Sequence, residues 1–278
     1  VIRALVVLAG LVAAAPTLAQ ERPWVPLPDP VSATCLGGLC QPEGLGGFFV
    51  VLNQNDAYSL SLAAIGQKQE VVVVQFGDSH TAGGHITGAL LSRLRARFPD
   101  VSISLDQRGV VGATLADLDD AAWPADAPPA ALVIVAYGTN EGFDDLLSPP
   151  AYERLFRARI RHLQRTQSGA ILVLGAPEAM RGEGGGTCAG DTEGRWKAPA
   201  MLAVVRDVQQ RVSEELGVAF WDWRGRMGGD CSAHALTLGD EPLMRSDHVH
   251  FTGAGGDWIG SLLADDIIAA YDRLGKSW

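Results

Sequence analysis

From Glu70 onward, short apolar runs alternate with stretches of helical hydrophobic period, and this alternation restricts the chain more than any other feature. The runs cover residues 71–76, 101–105, 132–136, 171–174 and 218–221. They are too short for buried helices and apolar almost throughout, as expected of strands covered on both faces of a parallel sheet. Between and after them lie four stripes: Ile86, Leu90, Leu91, Leu94 and Phe98, ended by Pro99; Tyr152, Leu155, Phe156, Ile160 and Leu163; Met201, Val205, Val208, Val212 and Leu216; Ile259, Leu262, Leu263, Ile267 and Tyr271. Strand–helix alternation of this kind predicts an α/β fold, a three-layer α/β/α domain on a central five-stranded parallel sheet with right-handed crossovers. The loops at the carboxyl ends of its strands are then the place to look for chemistry.

The residues before this domain read differently. Arg3 precedes an apolar stretch over residues 4–15, followed by Pro16 and the small-residue sequence Thr17-Leu18-Ala19, the pattern of a secretory signal cleaved after Ala19. A dozen helical residues span only ~18 Å against a hydrocarbon core of ~30 Å, so no stable membrane span is expected. A periplasmic or secreted protein is the expectation. Residues 20–69 form a linker arm and a covering segment: Pro and Gly dominate up to Gly46, and Phe48, Phe49, Val51, Leu52, Leu60, Leu62 and Ile65 suggest a short helix over the main domain. That leaves residues 70–278 as the domain proper. A net charge of −10 with no basic run excludes a nucleic-acid partner and disfavours an anionic membrane surface. In an oxidising compartment the four cysteines suggest two disulfides, Cys35 with Cys40 around Gly37-Gly38 and, by elimination, Cys188 with Cys231; four free thiols is the competing reading.

Four segments fall where the sheet presents its loops. Gly77-Asp78-Ser79-His80 follows the first strand, and a serine on a strand-to-helix turn is lifted clear of the sheet with helix-start N–H groups beside it. A plain helix cap is the alternative. Gly112, in the loop after the second strand, would let a backbone N–H approach a substrate oxygen, and Asn140, after the third, could donate its side-chain amide; both also suit turns. Asp247 stands three residues before His250, so the acid could hold the ring by one nitrogen and leave the other to accept a serine proton. His248 then points away and reads as structural. A metal held by the two histidines and Asp247 is the rival reading.

These blocks, GDSH at Ser79, VVGAT at Gly112, YGTNE at Asn140 and DHVH at His250, occur in the order and spacing that resemble the SGNH (GDSL-like) hydrolase superfamily over residues 70–274. The resemblance implies a flavodoxin-like fold and a serine esterase. Ser79 would be the nucleophile, the Ser79 and Gly112 N–H groups with the Asn140 amide would form the oxyanion hole, and Asp247 would orient His250. The first block departs from the commonest form in carrying His80 where Leu usually follows Ser. The wording GDSHTAG with YGTNE, Phe220-Trp221-Asp222-Trp223 and DHVHFT most resembles exported bacterial carbohydrate and peptidoglycan O-acetylesterases. The partner implied is an acylated glycan or other small ester, with His80 and Glu141 as substrate-binding residues around a shallow site. Cofactors are none, since serine acyl transfer requires neither metal nor organic group. Trp221 and Trp223 could stack on a sugar, although packing is the favoured reading. A lipase, an O-acyltransferase on the same residues and a non-catalytic glycan-binding protein are the alternatives.

Overall fold

A computed structural model describes residues 35–62, 70–118 and 129–275; the signal-like segment and, of the arm and covering segment, residues 20–34 and 63–69 lie outside the described residues. In chain order the elements are β1 (Cys35–Leu36), β2 (Leu39–Cys40), α1 (Gly46–Leu62), β3 (Val71–Gly77), α2 (Ser79–Ala82), α3 (His85–Arg97), β4 (Ile103–Gly109), β5 (Leu132–Ala136), α4 (Thr139–Gly142), α5 (Pro149–Thr166), β6 (Ala170–Leu174), α6 (Ala200–Leu216), β7 (Ala219–Trp221), α7 (Trp223–Met227), α8 (Ser232–Ala235) and α9 (Gly253–Leu274). The sheet order is β1-β2-β7-β6-β5-β3-β4. Its five parallel strands, β4-β3-β5-β6-β7, are those expected from the apolar runs, in the doubly wound order in which the chain steps outward from β3 to β4 and then back across to β5.

The strand count is corrected from five to seven. Cys35–Leu36 and Leu39–Cys40 form an antiparallel hairpin whose second strand pairs with β7, Leu39 opposite Trp221 and Cys40 opposite Phe220. Two-residue strands are too short to leave a period in the sequence, so this part of the arm carried only its two cysteines and the glycines between them as a signal. The turn needs Gly37, whose φ is +59°. Both expected disulfides are present; Cys35–Cys40 crosses the hairpin and Cys188–Cys231 closes a sequence separation of 43 residues. The second strand is also displaced from its expected place, 103–109 instead of 101–105. As the outer strand of the sheet it is only half covered, so Ser104, Asp106, Gln107 and Arg108 interrupt its apolar pattern.

Side chains of alternate strand residues enter two cores, as the period of two requires. Val71, Val73, Leu132 and Ile134 pack with Phe48 and Phe49 of α1, Leu90 and Leu94 of α3, and Ile259, Leu263 and Ile267 of α9. Val72, Val74, Val133 and Val135 pack on the other face with Tyr152, Phe156 and Ile160 of α5 and Leu202, Val205 and Val212 of α6. The helices bury the stripes that their sequences display, except that in α6 Leu202 enters the core where Met201 was expected.

The hairpin is tied to this body by a buried carboxylate. Asp266 of α9 accepts from the Gly38 amide at 3.1 Å and the Trp221 indole at 2.8 Å, and forms an ion pair with Arg226 at 3.0 Å. Burial raises the Asp266 pKa against the opposing pull of Arg226 and the two N–H donors. Removing one partner of a buried pair leaves the other charge uncompensated. Asp266→Ala should therefore lower the unfolding free energy by about 3–5 kcal/mol, read from urea unfolding curves. A loss under about 1 kcal/mol, the range of an exposed pair, would refute this account of the hairpin's anchor.

Candidate active site

The site begins with β3. In the parallel register Gly77 lies level with Gly109 of β4 on one side and Ala136 of β5 on the other. The loops leaving those three strands thus open at one end of the sheet, where the chain direction divides between β4 and β5. Asp78 caps α2, accepting from the His80 amide at 2.9 Å, and an acid is among the best residues for that task. Ser79 follows as the first helical residue. Gly109 is required by crowding, because a Cβ there would run into the Ala82 amide nitrogen.

The loop before α9 brings Asp247 and His250 to the serine. Ser79 Oγ–H faces His250 Nε2 at 3.0 Å, and His250 Nδ1 lies 2.9 Å from Asp247 Oδ2. The second Asp247 oxygen accepts from the Val249 and His250 amides, each at 2.9 Å. Partial burial opposes ionisation of Asp247, but these amide bonds and the His250 ring hold its carboxyl below the usual range. A carboxylate can only accept, so Nδ1 of His250 carries the proton and Nε2 keeps its lone pair for the serine hydroxyl. That arrangement is able to draw the proton from Ser79 when the oxygen attacks a carbon.

Three candidate donors lie on the turn and loops that leave β3, β4 and β5 at this end of the sheet. Among the described residues neither the Ser79 nor the Gly112 N–H donates to an acceptor. Asn140 of α4 gives one amide hydrogen to the Ala113 carbonyl at 2.8 Å, which joins the β4 and β5 loops and leaves its second hydrogen over. Gly112 has φ +77°, and a Cβ there would meet nothing within 4 Å; the backbone dihedral, not lack of room, calls for glycine.

Other residues expected at the site are turned inward. The His80 side chain is 2% exposed and forms part of the cleft wall, but both its ring nitrogens are engaged, with Asp78 Oδ1 at 3.1 Å and the Val249 carbonyl at 2.9 Å, so no polar atom is left for a substrate. Glu141 is buried and its Oε1 accepts from the Leu115 amide at 2.7 Å. Burial pushes its carboxyl up, and Oε2 has no hydrogen-bond partner. Trp221 and Trp223 are buried as well: the first bonds to Asp266, the second stacks on Phe251. His248 stacks on Trp196 at 3.6 Å, donates from Nδ1 to the Ser246 carbonyl and accepts from His234 through Nε2, facing away from Ser79.

What does face outward is a cleft of about 390 Å³ over Ser79 and His250, bordered by Gly83, Val111, Arg245 and Thr252. Val111 is 77% exposed, unusual for its type. Its only mark in the sequence was an apolar pair, Val110-Val111, inside a glycine-bounded loop, and Arg245 had none beyond preceding the histidine block.

The model of the GDSL-like Lipase/Acylhydrolase family matches residues 75–258. No curated protein matches the chain significantly. Among solved structures, one described as a peptidoglycan O-acetylesterase superposes with a TM-score of 0.66 at 18% identity, covering 82% of this chain and 96% of its own. An acetylxylan esterase from Geobacillus stearothermophilus gives 0.53 at 20% identity, covering 73% and 96%. An α/β hydrolase from the metagenome of Lake Arreo, Spain, gives 0.52 at 22%, covering 73% and 96%. At these identities the likeness establishes a common fold.

Glu141 offers a test of the inward placement. Its raised pKa means that stability contributed by the protonated carboxyl is present below the unfolded value and is lost as pH rises through the folded one. Glu141→Gln keeps an acceptor for Leu115 and does not titrate, so its stability relative to wild type should increase from pH 4 to pH 8. Glu141→Ala should cost about 1–3 kcal/mol through the unpaired Leu115 amide. Urea unfolding of the three proteins across pH decides; a Glu141→Gln stability that falls relative to wild type as pH rises would contradict the burial.

Proposed function

Since the chain belongs to the GDSL-like lipase/acylhydrolase family and is a serine ester hydrolase, we propose that it removes short acyl groups, acetyl foremost, from an extracytoplasmic glycan such as peptidoglycan. The observation that carries this reading is the 3.0 Å bond from Ser79 to His250 at the floor of an open cleft. Ser79 attacks the ester carbonyl while His250 Nε2 takes its proton. The carbonyl oxygen, now negative, receives the Ser79 and Gly112 N–H groups and the free amide hydrogen of Asn140. Collapse of this intermediate expels the sugar oxygen, which His250 protonates, and leaves the acyl group on Ser79. Water, deprotonated by the same nitrogen, releases the acid and restores the serine.

The choice of a small acyl group rests on the shape and lining of the cleft. Its 390 Å³ must hold both acyl group and alcohol, and His85, Arg245 and Thr252 interrupt a border otherwise formed by apolar side chains such as Ile86, Val111 and Phe251. The structures that share the fold include one described as acting on peptidoglycan O-acetyl groups and one described as an acetylxylan esterase, which supports a sugar acetate. Two disulfides suit an oxidising, extracytoplasmic compartment. No helix among the described residues is long and apolar enough to cross a membrane.

Ser79→Ala should abolish hydrolysis of aryl acetates and acetate release from O-acetylated peptidoglycan without changing the unfolding midpoint. Asn140→Ala should lower kcat by roughly 10²–10³-fold. Rates should fall from acetate through butyrate to octanoate, each unaccommodated methylene forgoing ~0.8 kcal/mol of burial. If octanoate esters gave the highest kcat/KM, a lipase acting through the same residues would replace the acetylesterase.

A further inference from the structure

His80 is the titratable group nearest the nucleophile that takes no part in the proton transfers described above. Its ring is fully enclosed: Trp223 meets it edge-on at 5.4 Å between centroids, Phe251 likewise at 6.0 Å, and the His250 ring stacks on it at 5.5 Å with 25° between planes. Its two nitrogens face two oxygens, Asp78 Oδ1 at 3.1 Å and the Val249 carbonyl at 2.9 Å. Both can only accept. A neutral imidazole has one N–H, so one nitrogen lone pair would be pressed against an oxygen lone pair at hydrogen-bond distance. Only the doubly protonated ring meets both partners.

We propose that His80 is a positioning residue that works as a buried imidazolium, donating from Nδ1 to Asp78 and from Nε2 to the Val249 carbonyl and so holding the loop of His250 against the loop of Ser79. The proposal rests on the esterase reading for its catalytic meaning. Its two bonds connect the residue before the nucleophile to the residue before the base, so the clamp spans the one distance on which proton transfer depends. Burial alone would lower the ring's pKa, but the Asp78 carboxylate and the Val249 carbonyl outweigh it and carry the pKa above the ordinary value. Asp78 moves in the complementary direction: burial opposes its ionisation, and the His80 ring and amide together with the Thr139 side chain hold its carboxyl low. Asp247 is the other charge that favours protonation of the ring. The pair Asp78–His80 is neutral overall, so the clamp fixes geometry without setting a net charge beside the catalytic ring. Each of the two stacked histidines has its own aspartate, and only one of the two pairs opens to solvent.

The protonation state is directly observable in the wild-type protein. At pH 7 the ¹⁵N resonances of His80 should show both nitrogens protonated, and this should persist above the pH at which a free histidine has lost its proton. As pH rises through the raised pKa, one clamp bond is lost and kcat should fall, giving an alkaline limb. His80→Leu, which removes both donors, should lower kcat on aryl acetate by about 10²-fold, the cost of a misplacement near 1 Å, with KM within about threefold. His80→Gln places an amide donor where Nε2 stood; it should return kcat to within about tenfold of wild type and lack the alkaline limb. One unprotonated ring nitrogen at pH 7, or wild-type kcat in a folded His80→Leu protein, would overturn the clamp. Undiminished turnover by Ser79→Ala would instead remove the esterase reading, so the two failures appear in different samples.

Discussion

The level carboxyl ends of β5, β3 and β4 are the constraint on which the site depends. Because Gly77 stands opposite both Ala136 and Gly109, the nucleophile turn and the two loops with Gly112 and Asn140 leave the sheet at the same height. A sheet slipped by one residue would also turn every strand side chain to the opposite core, which the two apolar clusters forbid. The packing that makes the domain stable therefore also sets the relative positions of the three donors and the serine. The link runs from a period of two in the sequence to the placing of the Gly112 and Asn140 loops beside the Ser79 turn.

Much of this was legible in the residues, and the illegible part has a common cause. The five parallel strands and four long helices announced themselves because each buries a regular pattern against the sheet. The hairpin did not, since two residues per strand are shorter than any period, and its value lies in partners far away in the chain, Trp221 and Asp266. At the candidate site, Ser79, Asp247 and His250 stood out as short blocks of polar residues in a fixed order, and the structure brings the three side chains into hydrogen-bond contact. The positions of His80 and Glu141 were not, for a polar residue beside a nucleophile looks the same in sequence whether it faces the cleft or the interior. Burial separates the two: a single unpaired carboxylate oxygen and an imidazole between two acceptors are statements about enclosure, which no local pattern contains.

Enclosure also divides the labour between the two aspartate–histidine pairs. Asp247 and His250 have side chains 46% and 36% exposed, so solvent reaches this pair. An exposed pair of that kind is held by little of its own energy, since solvent screens it. Its position must come from the backbone that carries it.

That backbone is held from both sides. The carbonyl of Val249 accepts from His80, while on the other flank the Met180 amide donates to the His248 carbonyl at 2.9 Å and the His248 ring lies between Trp196 and His234. The Cys188–Cys231 bridge and the Arg181–Lys197 backbone pairing keep that flank folded against the loop. His248 adopts φ +59°, a conformation that costs a non-glycine residue roughly 1–2 kcal/mol. The cost is intelligible because it reverses the direction of successive side chains: His250 faces Ser79 and Asp247 faces the His250 ring, while His248 anchors the loop inside. A left-handed residue at this point lets four consecutive residues serve two faces, and the hydrogen bonds on both faces outweigh the strain that makes it possible.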